Sequence, residues 1–112
     1  MKKYNIVKNN YEFNKIIKIG KSIKNKYFII YFKENGLEKY RFGISVGKKI
    51  GNAVVRNKYK RKIRSIVDDN KKYYTKNLDY IIIMRKACLD AEFDEMEKKY
   101  TSLIYEINKK EI

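Results

Sequence analysis

Ser45-Val46-Gly47-Lys48-Lys49-Ile50-Gly51-Asn52-Ala53-Val54-Val55-Arg56-Asn57-Lys58-Tyr59-Lys60-Arg61-Lys62-Ile63-Arg64 runs from the end of a strand pattern, through a basic loop with two glycines, into a helix pattern. From Lys48 to Arg64 it holds eight Lys or Arg residues and no Asp or Glu. Val55, Tyr59, Ile63, Ile66 and Val67 recur every three or four residues, so one stripe of a helix from about Asn52 to Asp69 can dock on a core while its other faces carry charge. A rigid cationic face of this kind is suited to a polyanion. The loop is too unlike the Gly-x-x-x-x-Gly-Lys-Ser/Thr pattern to be a nucleotide-binding P-loop.

Upstream, Asn9-Asn10-Tyr11-Glu12 has the form of a capping box. Phe13, Ile16 and Ile17 on one face and Gly20 as terminator then predict a first helix from about Asn10 to Ile19. Lys26 to Phe32 reads as a strand with apolar or aromatic residues on both faces: Phe28, Ile30 and Phe32 on one, Tyr27, Ile29 and Tyr31 on the other. After the turn signal Glu34-Asn35-Gly36, Phe42, Ile44 and Val46 alternate with Arg41, Gly43 and Ser45 in a second strand, about Lys39 to Val46. The two strands predict an antiparallel hairpin.

Downstream, a polar connection from Asn70 to Asn77 leads to Tyr80 to Met84, five consecutive apolar residues expected in a strand covered on both sides. Phe93, Met96, Tyr100, Leu103, Ile104 and Ile107 form the stripe of a last helix, with acids at its start and Lys109 and Lys110 at its end. The order α, β, β, α, β, α predicts a single α+β domain over residues 1–112, with helices packed on one sheet and its strand order left open.

Composition narrows the function. The net charge is +15, and residues 1 to 67 hold 19 basic and three acidic side chains against nine and ten in residues 68 to 112. The polyanion surface therefore belongs to the first 67 residues, and its binding is expected to weaken steeply with salt. At 44% apolar residues, with eleven Tyr and five Phe, the chain can build a core. No segment approaches a membrane span and the N-terminus lacks the apolar stretch of a signal peptide, so a cytoplasmic location is expected.

With no His and a single Cys, Ser-His and Cys-His dyads, ordinary zinc sites and internal disulfides are all excluded. Cys88 reads as a reduced structural thiol. The carboxylates are not paired in strand-borne clusters; Asp90, Glu92, Asp94 and Glu95 suit the start of the last helix. Neither a catalytic residue nor an all-protein metal site is expected.

Arg56-Asn57-Lys58-Tyr59-Lys60-Arg61, in the setting of Ser45 to Arg64, resembles the signature of the bacterial ribonuclease P protein component. The resemblance extends to Tyr11-Glu12-Phe13, Gly20 and Ser22, Arg41 and Gly43, and Asp79-Tyr80-Ile81-Ile82-Ile83 followed by Arg85-Lys86. It implies a two-layer α/β sandwich with a four-stranded sheet and a left-handed βαβ crossover around the basic helix, like domain 2 of ribosomal protein S5. Its activity would be that of a ribonucleoprotein endonuclease that removes the 5′ leader of precursor tRNA, with catalysis and Mg2+ supplied by the RNA. The partners implied are that catalytic RNA and the precursor tRNA; no membrane or protein partner is implied.

Two surfaces follow from the resemblance. Arg56, Asn57, Lys60, Arg61 and Arg64 match positions facing the catalytic RNA, although Asn57 could equally bond neighbouring backbone. Phe13, Ile17 and Tyr31 match the floor of a cleft for the single-stranded leader, and Lys48, Lys49, Arg85 and Lys86 match basic positions around it. Phe13 and Ile17 would serve as well in the core of an amphipathic helix, and relatives often carry an aromatic at the position of Ile17. The rival readings are a non-processing RNA-binding module, such as a ribosome-associated protein, an autonomous nuclease and a binder of anionic membranes.

Overall fold

A computed structural model describes residues 6, 7 and 9–111. Its elements are α1 (Asn10–Ile19), β1 (Lys21–Lys24), β2 (Phe28–Glu34), β3 (Arg41–Ser45), α2 (Ala53–Asp69), β4 (Leu78–Met84) and α3 (Phe93–Glu111), with short 3-10 turns at Lys48–Ile50, Lys71–Tyr73 and Lys86–Asp90. The strands form one sheet in the order β1-β2-β4-β3; β4 is antiparallel to β2 and parallel to β3. This is the expected α+β sandwich. Helices α2 and α3 pack on one face over Phe28, Ile30, Phe32, Tyr80, Ile82 and Met84, while α1 covers Ile81 on the other.

The predicted hairpin does not form. Strand β4 inserts between β2 and β3, which therefore share no hydrogen bonds as neighbours. Burial explains the outcome: β2 and β4 are apolar on both faces and take the centre, whereas β3 carries Arg41 and Ser45 on its second face and is satisfied at the edge. The connection between β2 and β3 is held by Asn35. Its backbone N–H donates to Asn77 O at 2.9 Å, and its side-chain amide donates to Lys39 O at 3.0 Å and to Asp79 Oδ1 at 2.8 Å.

Strand β1 comes from a segment with one half-buried apolar residue, Ile23, and pairs antiparallel with β2 from Lys21↔Phe32 to Lys24↔Ile29. Strand β2 begins at Phe28 rather than Lys26 because the Asn25 side chain accepts from both Tyr27 N and Phe28 N at 3.0 Å, making a turn of the residues before it. Asn9 caps α1 as predicted, accepting from Tyr11 N at 2.8 Å, but Glu12 reaches across to Arg41 Nη1 at 2.9 Å. Gly20 ends α1 without a left-handed turn: a Cβ there would lie 2.4 Å from Ile16 O and 2.9 Å from Phe32 O. Glycine is needed for close backbone approach.

The connection after α2 is anchored by two buried residues, Asn70 and Tyr74, while Lys71, Lys72, Lys76 and Asn77 are exposed. Asn70 donates from its amide to Ile66 O at 2.9 Å and accepts from Thr101 Oγ1 at 2.9 Å. Tyr74 joins Tyr40, Phe42 and Tyr80 in an aromatic cluster, and its hydroxyl lies 2.8 Å from that of Tyr100 and 3.0 Å from Val67 O. Burial pushes both phenols well above their ordinary value. They stay neutral in the fold but ionise near pH 10 once unfolded. Stability is therefore full below pH 10 and expected to fall above it by about 1.4 kcal/mol per pH unit for each phenol. Urea unfolding at pH 9 and pH 11 checks this; equal stability at both would contradict it.

Candidate nucleic-acid interface

Helix α2 is fixed at its start by Asn52, whose side chain accepts from Val55 N at 3.0 Å. Ile63, Ile66 and Val67 are buried, with Val55 and Tyr59 packed beside them. The 3.6-residue period then sets Asn57, Arg61 and Arg64 on the opposite, exposed ridge, and Arg56 and Lys60 on the half-buried flank. Three of the five predicted RNA-facing residues thus share one outward ridge. Arg56 Nε is buried without a hydrogen-bond partner among the described residues.

A separate surface lies across the sheet. Val7, Ile16 and Ile81 are buried under α1, and Phe13, Ile17, Tyr31 and Ile83 pack around them while remaining partly exposed. The register sets Tyr31, Ile81 and Gly43 in one row, and Ile29, Ile83 and Ser45 in the next. Gly43 admits the helix: a Cβ there would fall 2.7 Å from the Phe13 ring and 2.8 Å from Ile81 Cδ1. The predicted cleft residues Phe13, Ile17 and Tyr31 are therefore brought together. Ile29 and Ile83 extend their floor, and the two-residue alternation running from Tyr31 and Ile81 is the signal that would have found them.

The basic rim follows from strand direction. Because β3 and β4 run parallel, their C-terminal ends emerge on one side of the sheet, next to the row of Ile29, Ile83 and Ser45. Lys48 and Lys49 follow β3 in a 3-10 turn anchored by buried Ile50, and that turn packs against the one at Lys86–Asp90. Lys48, Lys49, Arg85 and Lys86 are all exposed. Arg85 is partly engaged, since its Nη1 donates to Asn25 O at 2.9 Å. Nearby Cys88 is buried with its thiol on Tyr27 O at 3.2 Å, and burial raises its pKa to about 11, in keeping with an inert structural thiol.

Arg41 and Asp79 brace the other end of the sheet, where they tie it to the first turn of α1. Asp79 is buried and receives Arg41 Nε at 2.8 Å and Nη2 at 2.6 Å, while Arg41 Nη1 holds Glu12 of α1. The Asp79 hydrogen bonds raise the Arg41 pKa further above its already high ordinary value, keeping the guanidinium charged. The carboxylates nearest the cleft are thereby committed to a cation, and no group of three potential metal ligands occurs among the described residues.

Fold and surfaces together define a class: a small α+β protein with one cationic helix face and, across the sheet, a half-buried apolar surface flanked by exposed Lys and Arg. The sequence matches the family model described as Ribonuclease P over residues 1–108, and the chain belongs to the ribonuclease P protein family. It is 48% identical over 108 residues to the ribonuclease P protein component of Mycoplasma mycoides subsp. mycoides, covering 96% of this chain and 99% of that one. With the Bacillus velezensis protein component it shares 45% identity over 104 residues, covering 92% and 89%. The solved ribonuclease P protein of Thermotoga maritima superposes with a TM-score of 0.82 at 35% identity, covering 89% of this chain and 94% of that one. That of Staphylococcus aureus gives 0.81 at 35% identity, covering 89% and 92%.

Proposed function

We propose that this chain is the protein subunit of ribonuclease P, docking on the catalytic RNA through α2 and receiving the single-stranded 5′ leader of precursor tRNA in the cleft between α1 and the sheet. The observation that carries this reading is the presence of two chemically different RNA-type surfaces on one rigid sheet, in a chain that belongs to the ribonuclease P protein family. Arg61 and Arg64 offer guanidinium forks to phosphate on the exposed ridge, with Asn57 beside them and Lys60 and Arg56 on the flank. Phe13, Ile17, Tyr31, Ile29 and Ile83 offer an apolar floor on which bases rest without regard to sequence, as an enzyme meeting many leaders requires. Lys48, Lys49, Arg85 and Lys86 hold leader phosphates at the rim.

Hydrolysis and its Mg2+ ions are assigned to the RNA, as the family resemblance implies; among the described residues the carboxylates nearest the cleft, Glu12 and Asp79, are held by Arg41. The protein raises the local concentration of substrate and fixes the leader relative to the RNA. Purified protein, catalytic RNA and precursor tRNA in magnesium are expected to yield the mature 5′ end at a rate above that of the RNA alone. The protein without RNA is expected to leave the precursor intact. Cleavage by the protein alone would make it an autonomous nuclease and overturn the reading.

A further inference from the structure

The cationic helix and the cleft are joined at the outer edge of β3 by a pocket of about 130 Å³, walled by Ile6, Val7, Phe13, Phe42, Gly43 and Ile44, with Lys60 and Arg64 also lining it. Its volume is about that of four water molecules in the liquid, enough for one flat ring system and too small for a structured helix of RNA. Its lining is mixed: Val7 and Phe42 are buried behind it, half-buried Ile6, Ile44 and Phe13, the last seated on Gly43, supply its apolar part, and backbone and the two cations supply the rest. Its two cations belong to α2, which otherwise faces away from the cleft.

The edge of β3 supplies direction as well as shape. Val7 N donates to Phe42 O at 2.7 Å in a parallel bridge between Ile6 and Phe42, so the Phe42 carbonyl points outward from the sheet. By the alternation of a strand, Ile44 presents its own N–H and C=O along that same edge, beyond the bridge. A small slot with half-buried apolar side chains, an adjacent donor and acceptor pair and two flanking cations match the three parts of a nucleotide: ring face, ring edge and phosphate.

We infer that this pocket takes one unpaired, extruded nucleotide, with its base against Phe13 and Ile44 and its phosphate on Lys60 and Arg64. The inference rests on the proposed ribonuclease P role and adds a base-holding site at the seam between its two surfaces. The nucleotide comes from the catalytic RNA or from the precursor, and both offer the same chemistry. In either case the pocket makes Lys60 and Arg64 report on the cleft as well as on the helix.

Ile6→Trp fills the pocket while removing no charge. Its affinity, measured separately for the catalytic RNA and for precursor tRNA presented to the ribonucleoprotein, is expected to fall roughly tenfold for the RNA that supplies the nucleotide. The slope of affinity against salt is expected to flatten by no more than about 1, since the displaced nucleotide takes a single phosphate away from Lys60 and Arg64. As a second measurement on the unaltered protein, 4-thiouridine is placed in the catalytic RNA in one arm and in the precursor in the other. Photo-crosslinks are expected at residues 6–13 or 42–44 in one arm, identifying the source. Unchanged affinity of Ile6→Trp for both RNAs, or crosslinks that avoid these residues in both arms, overturns the pocket assignment. Failure of the parent protein to bind the catalytic RNA at all would instead overturn the proposed function.

Discussion

Replacing both Arg61 and Arg64 by Ala is expected to lower affinity for the catalytic RNA by roughly 100-fold at moderate salt, taking about 1 to 1.5 kcal/mol for each lost charge-assisted contact. The slope of log affinity against log salt is expected to flatten by about 1 to 2, as two fewer counterions are released. Both side chains are exposed on α2 and lie outside its buried stripe of Ile63, Ile66 and Val67, so thermal stability should change little. A salt titration of RNA binding, run beside a melting curve, separates the effects. Equal affinity and slope in the double variant would remove the ridge from the RNA interface. Ser65→Ala on the same helix, exposed but uncharged, serves as the control and should bind like the parent.

The second large effect is on stability. Asp79→Ala is expected to cost about 3 to 5 kcal/mol, because it deprives Arg41 of a two-pronged partner and Asn35 of an acceptor in the part of the sheet where β4 enters between β2 and β3. Asp79 is 4% exposed, so water cannot replace what the side chain provided. The loss spreads beyond the sheet, since the same Arg41 holds Glu12 and with it the first turn of α1, which roofs the cleft. Leader binding should therefore weaken in the folded fraction, whereas catalytic-RNA binding through α2 should be retained. Denaturant unfolding measures the first effect and separate RNA titrations the second; a loss below about 1 kcal/mol would show that the ion pair is dispensable.

The three helices were legible because each carries an apolar stripe at helical spacing, and the first also carries the Asn9 cap whose side chain accepts from the first turn. Strand β1 left no such trace. Lys21–Lys24 holds one apolar residue that reaches the core, and only the family resemblance called for a fourth strand. Strand order was illegible for a different reason: alternation specifies which face of a strand is buried, not which strand lies beside it. Glu34-Asn35-Gly36 resembled a hairpin turn, yet Asn35 uses its side chain to hold Asp79 of the intervening strand.

The candidate site divides along the same line. The individual residues of the helix ridge and the candidate cleft came from their match to the family's positions, and the structure brings Phe13, Ile17 and Tyr31 together and sets Lys48, Lys49, Arg85 and Lys86 on one side of the sheet. Their convergence depends on the parallel pairing of β3 with β4, which no local pattern encodes. Ile29 and Ile83 were passed over because isoleucine in a β-rich run reads as core; here they are half-buried on the open row of the sheet. Lys60 likewise reads from sequence as one more helix cation, and only the packing of α2 over β3 brings it to the pocket with Phe13.

The central position of β4 governs how the chain comes together during synthesis. Phe28 pairs with Met84 and Glu34 with Leu78, separations of 56 and 44 residues. Until Met84 has left the ribosome, only the β1–β2 ribbon can close, and a two-stranded ribbon is marginal by itself. The nascent chain therefore carries its most cationic stretch into the cell before it has a completed core, and the closing of two long loops by one late strand sets the entropic barrier to folding. A basic helix that must wait for its sheet is exposed to every polyanion in the interval, so rapid arrival of β4 protects the nascent protein as well as completing it.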